Sequence, residues 1–243
     1  MNVKKSQEMQ VYEKRKRVQH MFSFIASRYD LLNHLLSFNI DRLWRKKAAC
    51  RVRGKRILDL ATGTGDMAIE IAKRDKNFHI IGLDISGEML SLAQKKARDA
   101  RLENQIELVQ ASMEHLPFRS SFFDSVVVAF GLRNAQDRIR ALFEMFRVLR
   151  KEGTAVILEF SHPAIPVFKD VYLYYTQCIL PLIGKVISGH RNAYLYLPTS
   201  IAAFPNREYL KHAMRAVGFG NVYCKLLTLG IVALHTGKKI CKV

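Results

Sequence analysis

Two periodicities alternate along this chain. From residue 56 onward, short apolar runs (57–60, 78–84, 106–110, 123–130 and 154–160) are separated by segments whose apolar residues recur every three or four positions (67–73, 86–101 and 139–150). The runs predict buried strands, and the segments predict amphipathic helices laid over them. Ser86 is placed to cap the second helix and Gly153 to end the third. Near the end, 221–227 and 231–235 flank Thr228-Leu229-Gly230, a hairpin signal that adds two strands. Strand–helix alternation followed by a hairpin predicts an α/β fold. Its sheet is mostly parallel and seven-stranded, with an antiparallel edge strand and helices on both faces.

Upstream, residues 21–38 carry apolar positions at helical spacing with a break near Tyr29-Asp30, and 41–49 make one more helix. That stripe suits helices covering one end of the sheet. It also suits a lid over a bound ligand, with Tyr29, Asp30 and Asn33 facing it. Residues 161–205 fit no regular strand–helix unit. They are rich in Tyr, Phe, Leu and Ile and punctuated by prolines, so they cover core or line a pocket for a greasy ligand. The chain therefore divides, within one domain, into a basic helical cap (1–54), an α/β core (55–160), an aromatic insertion (161–205) and a last helix with the hairpin (206–243).

The first strand runs into the first helix through Asp59-Leu60-Ala61-Thr62-Gly63-Thr64-Gly65-Asp66. Strand, glycine turn and helix in that order mark the edge where open α/β sheets bind nucleotides. Alone, the glycines suit an ordinary strand-to-helix turn equally well. Asp84, about twenty residues on, ends the second strand where a carboxylate would accept hydrogen bonds from ribose hydroxyls. Gly63-x-Gly65-x-x-Ala68 matches a dinucleotide fingerprint in form. An S-adenosylmethionine site uses the same plan, with an acidic residue (Asp59) closing the first strand and no pyrophosphate to seat. Asp66 at the helix start repels a pyrophosphate and tolerates a cationic sulfonium, which favours the methyl donor. Ser112 and Met113, past the third strand, are placed for the edge and face of an adenine, although a plain loop fits them as well.

The fourth strand ends in Gly131-Leu132-Arg133-Asn134. Neither the Asn/Asp-Pro-Pro-aromatic loop of nucleobase-amine methylases nor a following cysteine is found there, which counts against a nucleic-acid methylase. Arg133 and Asn134 stand where a reacting acceptor belongs; a turn or ion-pair role for the arginine is the other reading.

Bulk properties narrow the class. The length suits one sizeable domain. Cys50, Cys178, Cys224 and Cys241 form no C-x-x-C pair and read as reduced, mostly buried thiols of a cytoplasmic protein. The polar start is no signal peptide, and Lys185 interrupts the most apolar part of the insertion, so no spanning helix is expected. Of the formal net charge of +18, fifteen Lys/Arg against four Asp/Glu fall in residues 1–56. An anionic membrane surface, an RNA face or a solvated basic tail would each suit that excess. Aromatics are not interleaved with the basic residues, as base stacking would need. No metal-ligand cluster is evident among the eight histidines, so no metal is expected.

Tyr29-Asp30-Leu31-Leu32-Asn33-His34-Leu35-Leu36-Ser37, Asp41-Arg42-Leu43-Trp44-Arg45, the glycine turn, Phe130-Gly131-Leu132-Arg133-Asn134, Leu158-Glu159-Phe160-Ser161, Leu180-Pro181-Leu182-Ile183-Gly184 and Tyr196-Leu197-Pro198 together resemble the ubiquinone/menaquinone biosynthesis C-methyltransferases. The resemblance runs from about residue 18 to residue 239. It implies a Rossmann-like class I S-adenosylmethionine-dependent methyltransferase fold and methylation of a ring carbon of a polyprenylated quinol, foremost demethylmenaquinol. A 2-polyprenyl-6-methoxy-1,4-benzoquinol is the alternative acceptor, and an NAD-dependent oxidoreductase or a basic RNA-binding module are the alternatives of another class. The match points to Thr62, Asp84, Ser112 and Met113 as donor contacts, beside Asp59, Gly63 and Gly65 already read from the strand and glycine turn. By their place at the end of the fourth strand Arg133 and Asn134 are the candidate catalytic pair, with Tyr29, Asp30, Tyr194 and Tyr196 expected on the acceptor. The family usually has Asn or Asp and then Ala where Ser112-Met113 stands, and a serine where Ala129 stands. The expected partners are the quinol and a membrane surface at the inner face of the plasma membrane, without nucleic acid; a homodimer is left open.

Overall fold

The structure, a computed structural model, describes residues 37, 39–161 and 199–240. Seven strands form one sheet in the order β3-β2-β1-β4-β5-β7-β6. β1 (Arg56–Leu60) lies between β2 (His79–Asp84) and β4 (Phe123–Ala129) and pairs with both in parallel. β3 (Ile106–Gln110) and β5 (Leu149–Phe160) extend the parallel set on either side. β6 (Phe219–Leu227) and β7 (Val232–Lys239) form the hairpin. The antiparallel strand is β7, one place in from the edge, and β6 is outermost. This is the expected Rossmann-like architecture, a mostly parallel seven-stranded sheet with helices on both faces. The strand order reverses between β1 and β4, so a crevice opens at their carboxyl ends.

Successive residues of a strand point to opposite faces, and the central strands are apolar on both. Leu58, Leu60, Val126 and Val128 pack one layer with α4 (Arg138–Val148) and α5 (Arg207–Val217). Ile57, Ile80, Val127 and Val156 pack the other with α1 (Ile40–Ala49) and α2 (Asp66–Ala72), and Ala97 of α3 (Gly87–Asp99) joins them. Each fully buried Leu or Ile contributes roughly 1.5–3 kcal/mol, so these two layers anchor the strand ends that carry the site. Ser86 caps α3 as expected, its hydroxyl accepting the Met89 N–H at 3.3 Å.

One boundary moves. The pattern predicts a helix to residue 150 and a strand from 154, yet α4 ends at Val148 and β5 begins at Leu149. Leu149 is fully buried opposite Phe123, and pairing resumes at Thr154 opposite Ser125. Residues 150–153 are thus looped out within the strand, and Gly153 lies in the bulge instead of ending the helix. Of the cysteines expected to be mostly buried, Cys50 is exposed and Cys224 half-buried, while Cys178 and Cys241 lie outside the described residues. Much of the cap and of the aromatic insertion, Tyr29, Asp30, Tyr194 and Tyr196 among them, lies outside the described residues. Among the described residues no helix is long and apolar enough to cross a membrane.

Candidate active site

β1 delivers Asp59 and then Thr62, Gly63 and Gly65 to the crevice. Ala61, Gly63 and Gly65 have φ of 51°, 56° and 86°, three left-handed residues in five. A side chain on Gly63 would meet nothing within 4 Å, so the bare backbone there faces open space. A Cβ on Gly65 would lie 3.1 Å from the Ala93 Cβ, and the missing side chain lets α3 pack close.

The N–H groups of this turn are largely engaged by the protein. Thr62 N–H donates to the Leu83 carbonyl at 3.0 Å, Gly63 N–H to Asp84 Oδ2 at 2.9 Å and Gly65 N–H to the Thr62 carbonyl at 2.9 Å. A pyrophosphate would need such donors free. Asp66, expected to repel a pyrophosphate as a bare charge, is ion-paired with Lys96 and lies 3.9 Å from Arg45. Its charge is largely compensated, so that part of the sequence argument loses its force. Engagement of the turn's N–H groups replaces it, and it also favours a ligand without pyrophosphate.

Asp59 is 1% exposed. Its Oδ2 accepts the Thr62 hydroxyl at 2.6 Å, while Oδ1 is buried with no hydrogen-bond partner. Burial pushes its carboxyl up from 3.8 to about 7; the Thr62 bond, the nearby Arg45 charge and, least, the Ala68 backbone N–H pull down, and Asp84 adds to the rise. A buried carboxylate with one orphaned oxygen suits a ligand carrying a positive charge or an N–H donor. Asp84 is also raised by burial, against hydrogen bonds from the backbone of Ser86, Gly63 and Ile85. Its Oδ1 accepts Ser86 N–H at 2.9 Å. Each carboxylate oxygen accepts more than one hydrogen bond, which leaves capacity for ribose hydroxyls.

Ser112 and Met113 follow β3 as expected, at Ala111, whose N–H donates to the Asp84 carbonyl at 3.0 Å. The Ser112 hydroxyl accepts the Glu114 N–H at 3.3 Å, stabilising its own turn, and Met113 is half-buried against one core layer. Both side chains therefore serve the protein in part.

The carboxyl ends of β4 and β5 build the other wall. Phe130 (φ 58°) leads into a single 3-10 turn, Leu132–Asn134. Arg133, 6% exposed, ion-pairs with Glu159 Oε1 at 2.9 Å, donates also to the Phe130 carbonyl, and lies 5.4 Å from the centre of the Phe160 ring. Arg133 is thus committed to a buried pair, the structural role that the sequence left open beside the catalytic one. Trp44 of α1 stacks near Phe130 and Phe160 at 6.0 and 6.3 Å between ring centres, and its Nε1–H donates to the Thr228 hydroxyl at 2.8 Å. Asn134 sits half-buried at the end of the turn.

Sequence reasoning assigned no role to Glu159, Trp44, Arg45 or Lys96. Glu159 had a visible signal: a carboxylate inside an otherwise apolar central strand demands a buried partner. The others are joined to their partners only by folding. Among the described residues, no three His, Cys, Asp or Glu side chains converge to hold a metal.

The ubiE/COQ5 methyltransferase family model matches residues 9–239. A ubiquinone/menaquinone biosynthesis C-methyltransferase of Geotalea daltonii is 46% identical over 93% of this chain and 98% of its own. A demethylmenaquinone methyltransferase of Thermus thermophilus is also 46% identical, over 90% of this chain and all of its own. Among solved structures, an S-adenosylmethionine-dependent methyltransferase of Thermotoga maritima superposes with a TM-score of 0.63 at 20% identity, covering 90% of this chain and 98% of that one. The [4+2]-cyclase SpnF gives 0.70 at 18%, covering 94% and 97%. At such identities these two carry the fold alone, and one of them names a cyclase. Function follows the closely similar sequences instead: this chain belongs to the ubiE/COQ5 methyltransferase family.

Proposed function

We propose that this protein transfers a methyl group from S-adenosylmethionine to a ring carbon of a polyprenylated quinol, converting demethylmenaquinol to menaquinol. The observation that carries the reading is near-full-length likeness to demethylmenaquinone methyltransferases at more than 40% identity. The donor assignment has separate support in the orphaned Asp59 oxygen and the open face of Gly63.

S-adenosylmethionine supplies, when bound, a methyl group already activated by its sulfonium sulfur. Asp59 and Thr62 would balance the positive charge, Asp84 would hold the ribose, Gly63 and Gly65 would let the backbone approach, and Ser112 and Met113 would border the adenine. On the acceptor side, the ring carbon becomes nucleophilic as the adjacent hydroxyl ionises. The Arg133 guanidinium would favour that phenolate electrostatically, with Asn134 orienting the ring. Arginine is a poor base, because its own pKa exceeds about 12. The wall of Trp44, Phe130 and Phe160 limits access of water beside the pair. From the sequence pattern, residues 161–205 would cover the acceptor beside the helical cap 1–54, with Tyr29, Asp30, Tyr194 and Tyr196 touching it. The prenyl tail keeps that acceptor in the bilayer, so the protein would work at the membrane surface, aided by its basic first quarter.

The test is methyl transfer from labelled donor to reduced demethylmenaquinol by the wild type and Arg133→Lys. The reading expects labelled menaquinol from the wild type and at least a tenfold loss in the variant. Full turnover by Arg133→Lys would show that a positive charge suffices there and remove the guanidinium geometry from the chemistry.

A further inference from the structure

Glu159 stands at the carboxyl end of β5, 1% exposed, and both its oxygens are engaged. Oε1 accepts Arg133 Nη1–H at 2.9 Å and the Phe160 N–H at 2.9 Å; Oε2 accepts the Arg133 backbone N–H at 3.1 Å. One carboxylate thus grips the same arginine by main chain and side chain, across 26 residues of sequence. It does so where the chain needs holding, since the turn begins at Phe130 in a left-handed conformation unusual for a bulky residue. Arg133 in turn donates to the Phe130 carbonyl and lies over the Phe160 ring, which adjoins Trp44.

We infer that Glu159 is a positioning residue for methyl transfer. It fixes the height and orientation of the Arg133 guanidinium at the acceptor edge and offsets its charge until the acceptor brings its own. The inference rests on the reading that Arg133 faces the acceptor. A long, flexible side chain tethered at only one point would sample several rotamers, and methyl transfer depends on alignment within a fraction of an ångström. Glu159 Oε2 holds the main chain of Arg133, while Oε1 and the Phe130 carbonyl hold its Nη1 from two sides, which removes that freedom. The donor-binding residues Asp59, Thr62 and Asp84 use other partners, so loosening Glu159 leaves them in place.

Glu159→Gln keeps the shape of the side chain but sets an amide NH2 among three donors that had faced a carboxylate. Glu159→Asp keeps the charge on a shorter stem. Steady-state methyl transfer, a pH profile of kcat, and calorimetry with S-adenosylhomocysteine are compared for wild type, both Glu159 variants and Arg133→Lys. The expected result is a kcat at least tenfold lower in Glu159→Gln, with a shifted pH profile and affinity for S-adenosylhomocysteine within about twofold of wild type. Glu159→Asp is expected to recover part of that loss. A Glu159→Gln enzyme with kcat within twofold of wild type, or one that loses donor affinity as steeply as kcat, overturns the inference. Should Glu159→Gln not fold, Glu159→Asp decides by the same two quantities, a loss in kcat alone supporting the inference and a parallel loss or none overturning it. An undiminished Arg133→Lys shows that a charge without an oriented guanidinium suffices and overturns the inference, whereas an impaired Arg133→Lys beside an active Glu159→Gln overturns the role of Glu159 alone.

Discussion

Asp59→Asn separates the stability of this fold from its function. The Asp59 carboxyl is raised from 3.8 to about 7, chiefly by burial. A folded-state value above the unfolded one means that the native state holds a proton the unfolded chain releases. Stability is then full below pH 3.8, declines as pH rises toward 7, and is lowest above it. A rise of about three pH units at 1.36 kcal/mol each makes the ionised carboxylate destabilising by about 4 kcal/mol at pH 8, and by roughly 2 kcal/mol at pH 5. Asparagine carries no charge and still accepts from Thr62, though its NH2 inherits the unpartnered position of Oδ1 at a cost of about 1–3 kcal/mol. That cost does not vary with pH. The stability of Asp59→Asn relative to wild type should therefore improve by roughly 2–3 kcal/mol between pH 5 and pH 8, read from urea unfolding at each pH. Donor affinity should move the other way: loss of a charge-assisted contact weakens S-adenosylmethionine binding about 10- to 100-fold. A stability difference that stays flat with pH would refute the burial argument. Undiminished donor affinity would refute the place given to Asp59 in the site.

His235 is buried on β7, with Nε2 3.1 Å from the Arg207 carbonyl and Nδ1 unpartnered, and burial lowers it from 6.5 to about 4. Its stability contribution is intact above pH 6.5 and lost as pH falls through 4, so His235→Gln should flatten the acid limb of unfolding by up to about 3 kcal/mol; an unchanged limb would show the imidazole is not what titrates. Gly63→Ala places a Cβ in open space at a left-handed φ, so it should lose only about 1–2 kcal/mol of stability while losing at least tenfold in affinity for S-adenosylhomocysteine by calorimetry. Gly65→Ala meets Ala93 as well and should destabilise more in the same unfolding experiment; equal effects at both positions would contradict this. Trp44→Phe removes the bond to Thr228 and should lower unfolding stability by about 1 kcal/mol, with no change counting against that bond.

Much of the sheet was legible in the sequence because its central strands are buried on both faces and must be apolar, and because left-handed turns at their ends call for glycine. Asp59, Thr62, Gly63 and Asp84 could be placed for the same reason, each standing at the end of an unmistakable run. The start of β5 was hidden, since Arg150-Lys151-Glu152 is polar and only the buried Leu149 betrays a strand. Ion pairs were hidden more deeply. Arg133 with Glu159 and Asp66 with Lys96 join residues 26 and 30 apart, and no spacing rule links them. Ser112 illustrates a different limit: a hydroxyl placed for a ligand by pattern is also the natural acceptor for its own turn, at the Glu114 N–H.

The decisive measurement pairs labelled S-adenosylmethionine with reduced demethylmenaquinol in detergent, with the product identified by mass and fragmentation. Label on a carbon of the naphthoquinol ring, with formation of S-adenosylhomocysteine, is the predicted result. Label on oxygen, or no transfer by a folded protein that binds a nicotinamide dinucleotide instead, would contradict it.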